Sequence, residues 1–117
     1  MKDDELSAII DHAQTVAYQA AEQYFQDSLN GRDQYACGFA WLHISEYNGK
    51  KIDGRTKIGR QLAKMGIQRA YGSSAPQWWN PSRFPCQNVD TLEVGARAAA
   101  MYLQSHGFTS YSGSRLD

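Results

Sequence analysis

The sequence predicts an α+β fold, a ferredoxin-like split βαβ sheet with an additional long N-terminal helix. Three observations support this fold class. Residues 35–44 form a long apolar run without a charge, which is typical of a central strand. Residues 4–29 carry apolar side chains at the three- and four-residue spacing of one helical face. After residue 34, the patterns follow the order strand, helix, strand, strand, helix, strand, which is the split βαβ order.

Length and charge limit the class of function. The 117 residues suffice for one domain, with the N-terminal helix in residues 1–33 and an α/β core in residues 34–117. Twelve basic and twelve acidic side chains cancel, which disfavours binding of duplex DNA through bulk charge. Residues 1–33 hold seven acids against two bases, whereas residues 34–70 hold seven bases against two acids. An acidic N-terminal helix therefore precedes a basic middle segment.

The cysteines and the start of the chain indicate a cytoplasmic setting. Cys37 lies in the apolar run and Cys86 in a proline-containing segment, so the sequence lacks the many cysteines of a disulfide framework. Residues 1–5 lack the apolar core of a signal peptide. No apolar run approaches the ~20 residues that span a bilayer. We therefore expect a reducing cytoplasm and no membrane partner.

The first helix is predicted from about Asp4 to Leu29. Acidic side chains crowd its first turn, where they suit the helix dipole, and Asn30 followed by Gly31 provides a left-handed end. We expect this helix to cover part of the central sheet, because a large apolar sheet face left open favours association with other molecules.

The central strand is predicted over residues 35–44 with two different faces. Alternation places small or aliphatic side chains on one face and Cys37, Phe39 and Trp41 on the other. The side chains on the face that carries Gly38 and Ala40 are too small to keep a packed helix at the usual distance from the sheet. We therefore expect a helix to pack closely on the small face and the N-terminal helix to cover the aromatic face at least partly.

The segment after the central strand contains a turn and a second helix. Asn48 followed by Gly49 is a preferred pair for a tight hairpin, so either a short hairpin or a plain loop fits, and a true hairpin would change the topology. The second helix is predicted from about residue 55 to 65. Its outward face is basic, which indicates either a phosphate-binding stripe or a solvated surface. The residues of this basic stripe are Lys57, Arg60 and Lys64.

The last part of the chain contains two strand patterns, a helix and a final strand. Residues 67–71 and 77–80 are predicted as strands that flank a turn-rich loop. The third helix is predicted to begin at Asp90, with Glu93 completing a capping box, and to end at residues 106–107. Its Ala-rich body suits the small face of the central strand. Residues 108–111 are predicted as the last strand.

Two short segments carry a resemblance. Residues 37–41, Cys-Gly-Phe-Ala-Trp, and residues 114–117, Ser-Arg-Leu-Asp, resemble a group of small uncharacterised bacteriophage proteins with a Cys-Gly-Phe-Ala-Trp strand and a Ser-Arg-x-Asp C-terminus. The likeness spans roughly residues 35–117 and includes a mid-chain Trp segment and an Ala-rich last helix. It implies a phage accessory role in the host cytoplasm, and it assigns no activity to any residue.

Candidate catalytic and metal groups are sparse. Two cysteines and three scattered histidines do not form the ligand spacing of a zinc site, so we expect neither a metal nor a cofactor. A P-loop is excluded because Arg60 and Gln61 occupy the positions that require Lys and Ser or Thr. Cys86 precedes the third helix, whose dipole is able to lower its pKa, so a reactive thiol is one alternative to an ordinary loop cysteine.

The strongest candidate for binding is the segment around two adjacent tryptophans. Neighbouring strand positions face opposite ways, so one indole is expected to enter the core while the other stays nearer to solvent. The nearby amide, hydroxyl and guanidinium groups suit a flat, anionic ligand such as a nucleotide. A purely structural role, with one core Trp beside one that covers a loop, is the alternative. The candidate ligand-binding residues are Trp78, Trp79, Asn80, Ser82 and Arg83.

These observations favour a non-enzymatic phage accessory protein that binds and neutralises a host component. The expected partner is a nucleotide-type ligand or single-stranded nucleic acid. The alternative is a protein-interaction module that inhibits a host defence protein. One form of this alternative is a homodimer in which the acidic first helix meets a neighbour's basic second helix. A small hydrolase or lyase is the third alternative.

Overall fold

The computed structural model describes residues 1–69 and 74–117 of the chain. The described residues form three helices and five strands, so the α+β class and the long N-terminal helix are confirmed. The elements in chain order are α1 (Asp3–Leu29), β1 (Gly38–Tyr47), β2 (Lys50–Lys51), α2 (Lys57–Lys64), β3 (Gln68–Arg69), β4 (Pro76–Trp79), α3 (Val89–Gln104) and β5 (Phe108–Leu116). Residues 72–73 of the predicted loop 72–76, and residues 70–71 of the predicted strand 67–71, lie outside the described residues.

β1 is the centre of an antiparallel sheet. One edge of β1 pairs along most of its length with β5, from Gly38 opposite Leu116 to Tyr47 opposite Phe108, with a register shift between Ile44 and Glu46. The other edge pairs with β4 and, further along, with β2. β3 pairs with the outer edge of β4. The strand order is therefore β5-β1-β4-β3, with β2 beside β4 along the same edge of β1.

The connection between β1 and β2 is a hairpin turn and not a plain loop. Asn48 and Gly49 both have positive φ angles, 50° and 79°, as a two-residue type I′ turn requires. Tyr47 pairs with Lys50 across this turn. The hairpin therefore adds a short strand that the predicted six-element order did not contain.

β1 begins later and ends later than the sequence predicted. Tyr35 has a left-handed φ of 65°, which interrupts extended backbone before the strand. The first paired residue of β1 is Gly38, whose position leaves no room for a side chain, because an added Cβ would overlap the Arg115 carbonyl oxygen. The close approach expected at the small face is present, since Ala40 is buried against Leu92 and Ala96 of α3.

All three helices lie on the same side of the sheet. The largest buried cluster joins Leu6 and Ile10 of α1, Leu62 of α2 and Leu103 of α3 to Leu42 of β1. The prediction that α1 covers the aromatic face of the central strand is therefore wrong. The reason is the small side chains that α1 and α3 present to each other, which allow two helices to approach closely. The small residues on the two helices are Ala13, Ala17, Ala21, Gly95, Ala96 and Ala99.

The start of α3 also differs from the predicted one. Asn88, not Asp90, is the N-cap, and its side-chain oxygen accepts a hydrogen bond of 2.8 Å from the Thr91 backbone amide. Asp90 lies in the exposed first turn, and Glu93 instead pairs with Arg97. Asn88 is preferred because it is buried and its amide also donates to a backbone carbonyl before β1.

Among the described residues, no helix is long and apolar enough to cross a membrane.

Candidate binding face of the sheet

The side of the sheet opposite the helices is covered by no other described element. Alternation along the strands brings one set of side chains to this side, and we call the seven around its centre the open face. Its members come from the three neighbouring strands β5, β1 and β4. They are Phe39, Trp41, His43, Gln77, Trp79, Tyr111 and Arg115.

Strand register places these residues in rows across the sheet. Trp41 lies between Trp79 on β4 and Gly113 on β5. His43 lies between Gln77 on β4 and Tyr111 on β5. Directly paired side chains on one face lie about 4.5–5.5 Å apart at Cβ, so each row forms a continuous surface.

Three aromatic rings form the centre of the open face. The Trp79 ring lies 5.2 Å from the Trp41 ring and 6.3 Å from the Phe39 ring, measured between centroids. Trp79 nevertheless keeps 50% of its surface exposed, and Phe39 keeps 41%. The rings support one another at tilted and edge-on angles while large areas remain accessible to solvent. This arrangement is a preformed surface on which a flat molecule can stack.

A cation and a glycine border this aromatic centre. The Arg115 guanidinium carbon lies 5.6 Å from the centre of the Phe39 ring, within the range of a cation–π contact. At Gly113 an added Cβ would lie 2.9 Å from the Trp41 indole, so glycine leaves the space that this indole occupies. The open face therefore combines aromatic area with one guanidinium group that is able to contact a phosphate.

A polar pair lies beside the aromatic centre. The His43 ring stacks on Tyr111 with centroids 5.1 Å apart and planes 11° from parallel. Its Nε2 lies 3.3 Å from Gln77 Nε2. Burial lowers the pKa of His43, which favours the neutral imidazole. His43 Nδ1 and Gln77 Oε1 are both buried and have no hydrogen-bond partner.

The two predicted tryptophans lie on opposite sides of the sheet. Trp78 is 7% exposed, lies directly opposite Leu42 and belongs to the main buried cluster. Trp79, one residue later, belongs to the open face. The structure therefore separates the pair into one core residue and one surface residue.

The other predicted ligand-binding residues do not gather around Trp79 in a single site. Ser82 is fully buried, and its hydroxyl donates to Asn80 Oδ1 and accepts from the Phe84 amide. Asn80 and Arg83 both have positive φ angles, 42° and 55°, and a backbone hydrogen bond joins them across a turn. Asn80 and Ser82 thus hold the turn that follows β4, and Arg83 is exposed at its end.

The predicted basic stripe lies away from the open face. Lys57, Arg60 and Lys64 are exposed on α2, whose Leu62 is buried on the helix side of the sheet. The Arg60 guanidinium donates to the Arg55 carbonyl. Lys57 lines a cavity of about 360 Å³ with Lys50, Lys51 and apolar side chains, and this cavity does not include Arg60 or Lys64. The stripe is therefore not joined to Trp79.

Cys86 lacks the environment of a reactive thiol. Burial raises the pKa of its thiol, which disfavours the thiolate. Its Sγ faces the Asn88 carbonyl at 3.9 Å. Within residues 1–69 and 74–117, no group of three or more His, Cys, Asp and Glu side chains is arranged to hold a metal ion.

Trp79 is the one open-face residue that the sequence predicted as a binding residue. Phe39 and Trp41 were expected to be covered, and His43, Gln77, Tyr111 and Arg115 were not predicted as binding residues. The signal for Tyr111 and Arg115 is the odd-numbered alternation of Thr109, Tyr111, Gly113 and Arg115, which becomes visible only if the last strand extends to residue 116. That extension is weak in the sequence because the segment is rich in Ser and Gly, which have low strand propensity.

Because the comparisons with known proteins found no match, the class of this protein is defined from its architecture. No family model, curated protein or solved structure matches the chain. The fold and the open face define an α+β protein whose antiparallel sheet carries its helices on one side and an exposed aromatic surface on the other.

Proposed function

We propose that the chain is a non-enzymatic accessory protein that binds single-stranded nucleic acid or a nucleotide on the open face. The observation that carries this proposal is the exposed Trp79 ring, supported by Trp41 and Phe39 in the centre of the sheet. Stacking of a base on an aromatic ring is worth about 1–3 kcal/mol and tolerates any base, because every base has a π face.

The strand arrangement supports the same proposal. We infer that the sheet is ferredoxin-like, because the strand order β5-β1-β4-β3, with α2 after β1 and α3 after β4, corresponds to the split βαβ order once the short β2 is set aside. RNA-recognition modules present aromatic side chains to two or three bases on a four-stranded sheet of this kind. The open face has its rings on β1 and β4, the two inner strands of that order.

Charge supports a short single strand or a nucleotide rather than a duplex. The net formal charge of the chain is zero, and Arg115 is the basic member of the open face. A duplex binder ordinarily neutralises several phosphates, whereas stacking exposes unpaired bases to the protein. With the bacteriophage resemblance, this chemistry fits an accessory protein that sequesters a host nucleotide or single strand in the cytoplasm of an infected cell.

A protein partner is the second candidate, and the outer edge of β5 favours it. β5 pairs only with β1 among the described strands, so one row of its backbone groups faces outward. Unpaired strand edges can pair with another chain. In contrast, the acidic start of α1 contacts α2 of the same chain, where Gln61 donates to Asp3 at 2.6 Å. A homodimer through β5 is therefore better supported than one through the acidic helix.

Fluorescence anisotropy with labelled eight-nucleotide single strands tests the first proposal. The wild-type protein should bind the single strand more tightly than a duplex of the same length. Trp79→Leu should weaken binding by about 1–3 kcal/mol, whereas Trp79→Phe should retain most of the affinity because a ring remains. Equal affinity of the Leu and Phe variants would contradict stacking on this residue.

The second candidate is measured on the same samples. Native mass spectrometry or light scattering gives the mass of the protein alone. A concentration-dependent dimer that a proline at an outward position of β5 abolishes would favour the protein-interaction alternative. A monomer at all concentrations would leave the open face as the main candidate for contact with a partner.

A further inference from the structure

We propose that His43 and Gln77 form a base-reading subsite beside the stacking surface, so that the protein distinguishes nucleobases by their hydrogen-bonding edges. This inference rests on the function proposed above and adds base selectivity to it. The observation that carries it is a pair of buried polar atoms, His43 Nδ1 and Gln77 Oε1, that have no partner. Gln77 is only 9% exposed, so water does not readily satisfy its carboxamide oxygen.

The chemistry of the pair is fixed by elementary hydrogen-bond rules. If Gln77 Nε2 donates to His43 Nε2, the neutral imidazole carries its proton on Nδ1, which leaves one N–H donor there and one acceptor at Gln77 Oε1. If the amide is turned over, Oε1 accepts from His43 Nε2–H, which leaves an acceptor at Nδ1 and a donor on the amide nitrogen. Both assignments leave one donor and one acceptor without partners.

One donor beside one acceptor is complementary to a nucleobase edge rather than to a phosphate. An ionised phosphate offers mainly acceptors, whereas the Watson–Crick edge of each base combines an amino or imino donor with a ring nitrogen or carbonyl acceptor. Glutamine pairs with adenine in this way in nucleic-acid complexes. The neutral state of His43 agrees with an uncharged partner.

The position of the pair fits a base that is bound next to the stacking surface. Gln77 and Trp79 are two residues apart on β4 and therefore share a face, as His43 and Trp41 do on β1. Tyr111 stacks on His43 and is 53% exposed, so a surface-accessible ring lies directly beside the pair. Leaving buried polar atoms unpaired is costly, so a ligand that satisfies them gains affinity over one that does not.

The experiment compares the affinities of dA, dC and dT eight-mers for the wild-type protein and for Gln77→Met. Met keeps the length of the side chain but removes both hydrogen-bonding groups. We expect the wild type to separate its best and worst eight-mer by about tenfold, the scale of one bidentate contact. The variant should reduce this ratio to below about threefold, chiefly by weakening the best ligand.

Two results would overturn the inference without contradicting the proposed function. These are equal wild-type affinities for all three eight-mers, and a selectivity ratio that Gln77→Met leaves unchanged. If no eight-mer binds the wild-type protein, the proposed function itself fails. Circular dichroism checks the fold of the variant, and His43→Phe, which keeps a ring against Tyr111, replaces Gln77→Met if the latter does not fold. The same loss of selectivity is then expected.

Discussion

Trp78 and Trp79 are adjacent in the chain, but their side chains belong to different parts of the molecule. Trp78 lies in the buried cluster opposite Leu42, whereas half of the Trp79 surface is exposed. We expect Trp78→Ala to lower the free energy of unfolding by about 3–5 kcal/mol, as for a large core deletion. Trp79→Ala should cost much less, because its ring leaves no enclosed cavity.

Urea unfolding of both single variants measures the difference. A loss of stability as large for Trp79→Ala as for Trp78→Ala would place both indoles in the core. It would also remove the basis for stacking on the open face, since the exposed ring would then be essential to packing and not available to a ligand.

At His43, burial has a consequence for pH dependence. The pKa of this residue is lowered in the folded protein by desolvation, so below a pH of about 6.5 the unfolded chain binds a proton that the folded protein resists. The contribution of His43 to stability is therefore fully present above that pH. It should be lost progressively as the pH falls toward the folded pKa.

Thermal melting between pH 7.5 and pH 5 detects this contribution. The melting temperature of the wild type should fall more on acidification than that of His43→Phe, which keeps the ring stacked on Tyr111 but has no titrating group. Parallel curves for the two proteins would show that His43 does not resist protonation in the fold.

At the scale of elements, the close contact between β1 and α3 provides the most direct test of the fold. Ala40 is 1% exposed and packs against Leu92 and Ala96, so added methylene groups have no space. Ala40→Leu should destabilise the protein by about 1–3 kcal/mol through overpacking. Ala8→Leu, at an exposed position of α1, is the matched control and should have little effect. Calorimetry of both variants decides, and equal melting temperatures would contradict close helix-on-sheet packing.

The helices and the central strand are predictable from sequence because their signals are local. The apolar spacing of α1, the left-handed end at Asn30 and the alternation through Trp78 and Trp79 all depend on backbone geometry within a few residues. Several strands were also recognisable, although their ends shifted. Tyr35, with its left-handed φ, illustrates why, since its conformation depends on the contacts around it.

The side of the sheet that α1 covers was not predictable in this way. Phe39 and Trp41 looked like core residues because large apolar side chains usually seek burial, yet the alanines of α1 already had a partner in the glycine and alanines of α3. Which of two surfaces a helix packs against is decided by tertiary contacts, which local sequence patterns do not specify. The open face was therefore missed for the same reason that α1 was misplaced.

At the scale of the whole molecule, the sheet separates two charged regions with different expected roles. Arg115 lies on the open face, whereas the basic stripe of Lys57, Arg60 and Lys64 lies on the helix side. Arg115→Ala should weaken single-strand binding and reduce the dependence of log affinity on log salt by about 0.7, the value for one phosphate contact. Changing the three stripe residues to Glu should alter the affinity only slightly at physiological salt, where exposed charges are screened beyond about 8 Å.

Salt titrations of these two variants against the wild type provide the measurement. A steep loss of binding in the stripe variant, with Arg115→Ala unaffected, would place the nucleic acid on α2 and would contradict binding at the open face. Lys2→Glu, a charge reversal at an exposed position outside both regions, shows how strongly binding responds to a charge change away from them.

The pairing of β1 with β5 also has a consequence for folding kinetics. Residues 38–47 find their longest partner in residues 108–116, so this edge of the sheet closes only after most of the chain has been brought together. The β1–β2 hairpin is local and is expected to form early, while the rows that contain Tyr111 and Arg115 are completed late. A ligand that contacts β1, β4 and β5 at once would lower the rate of unfolding, since these strands must separate before the chain unfolds.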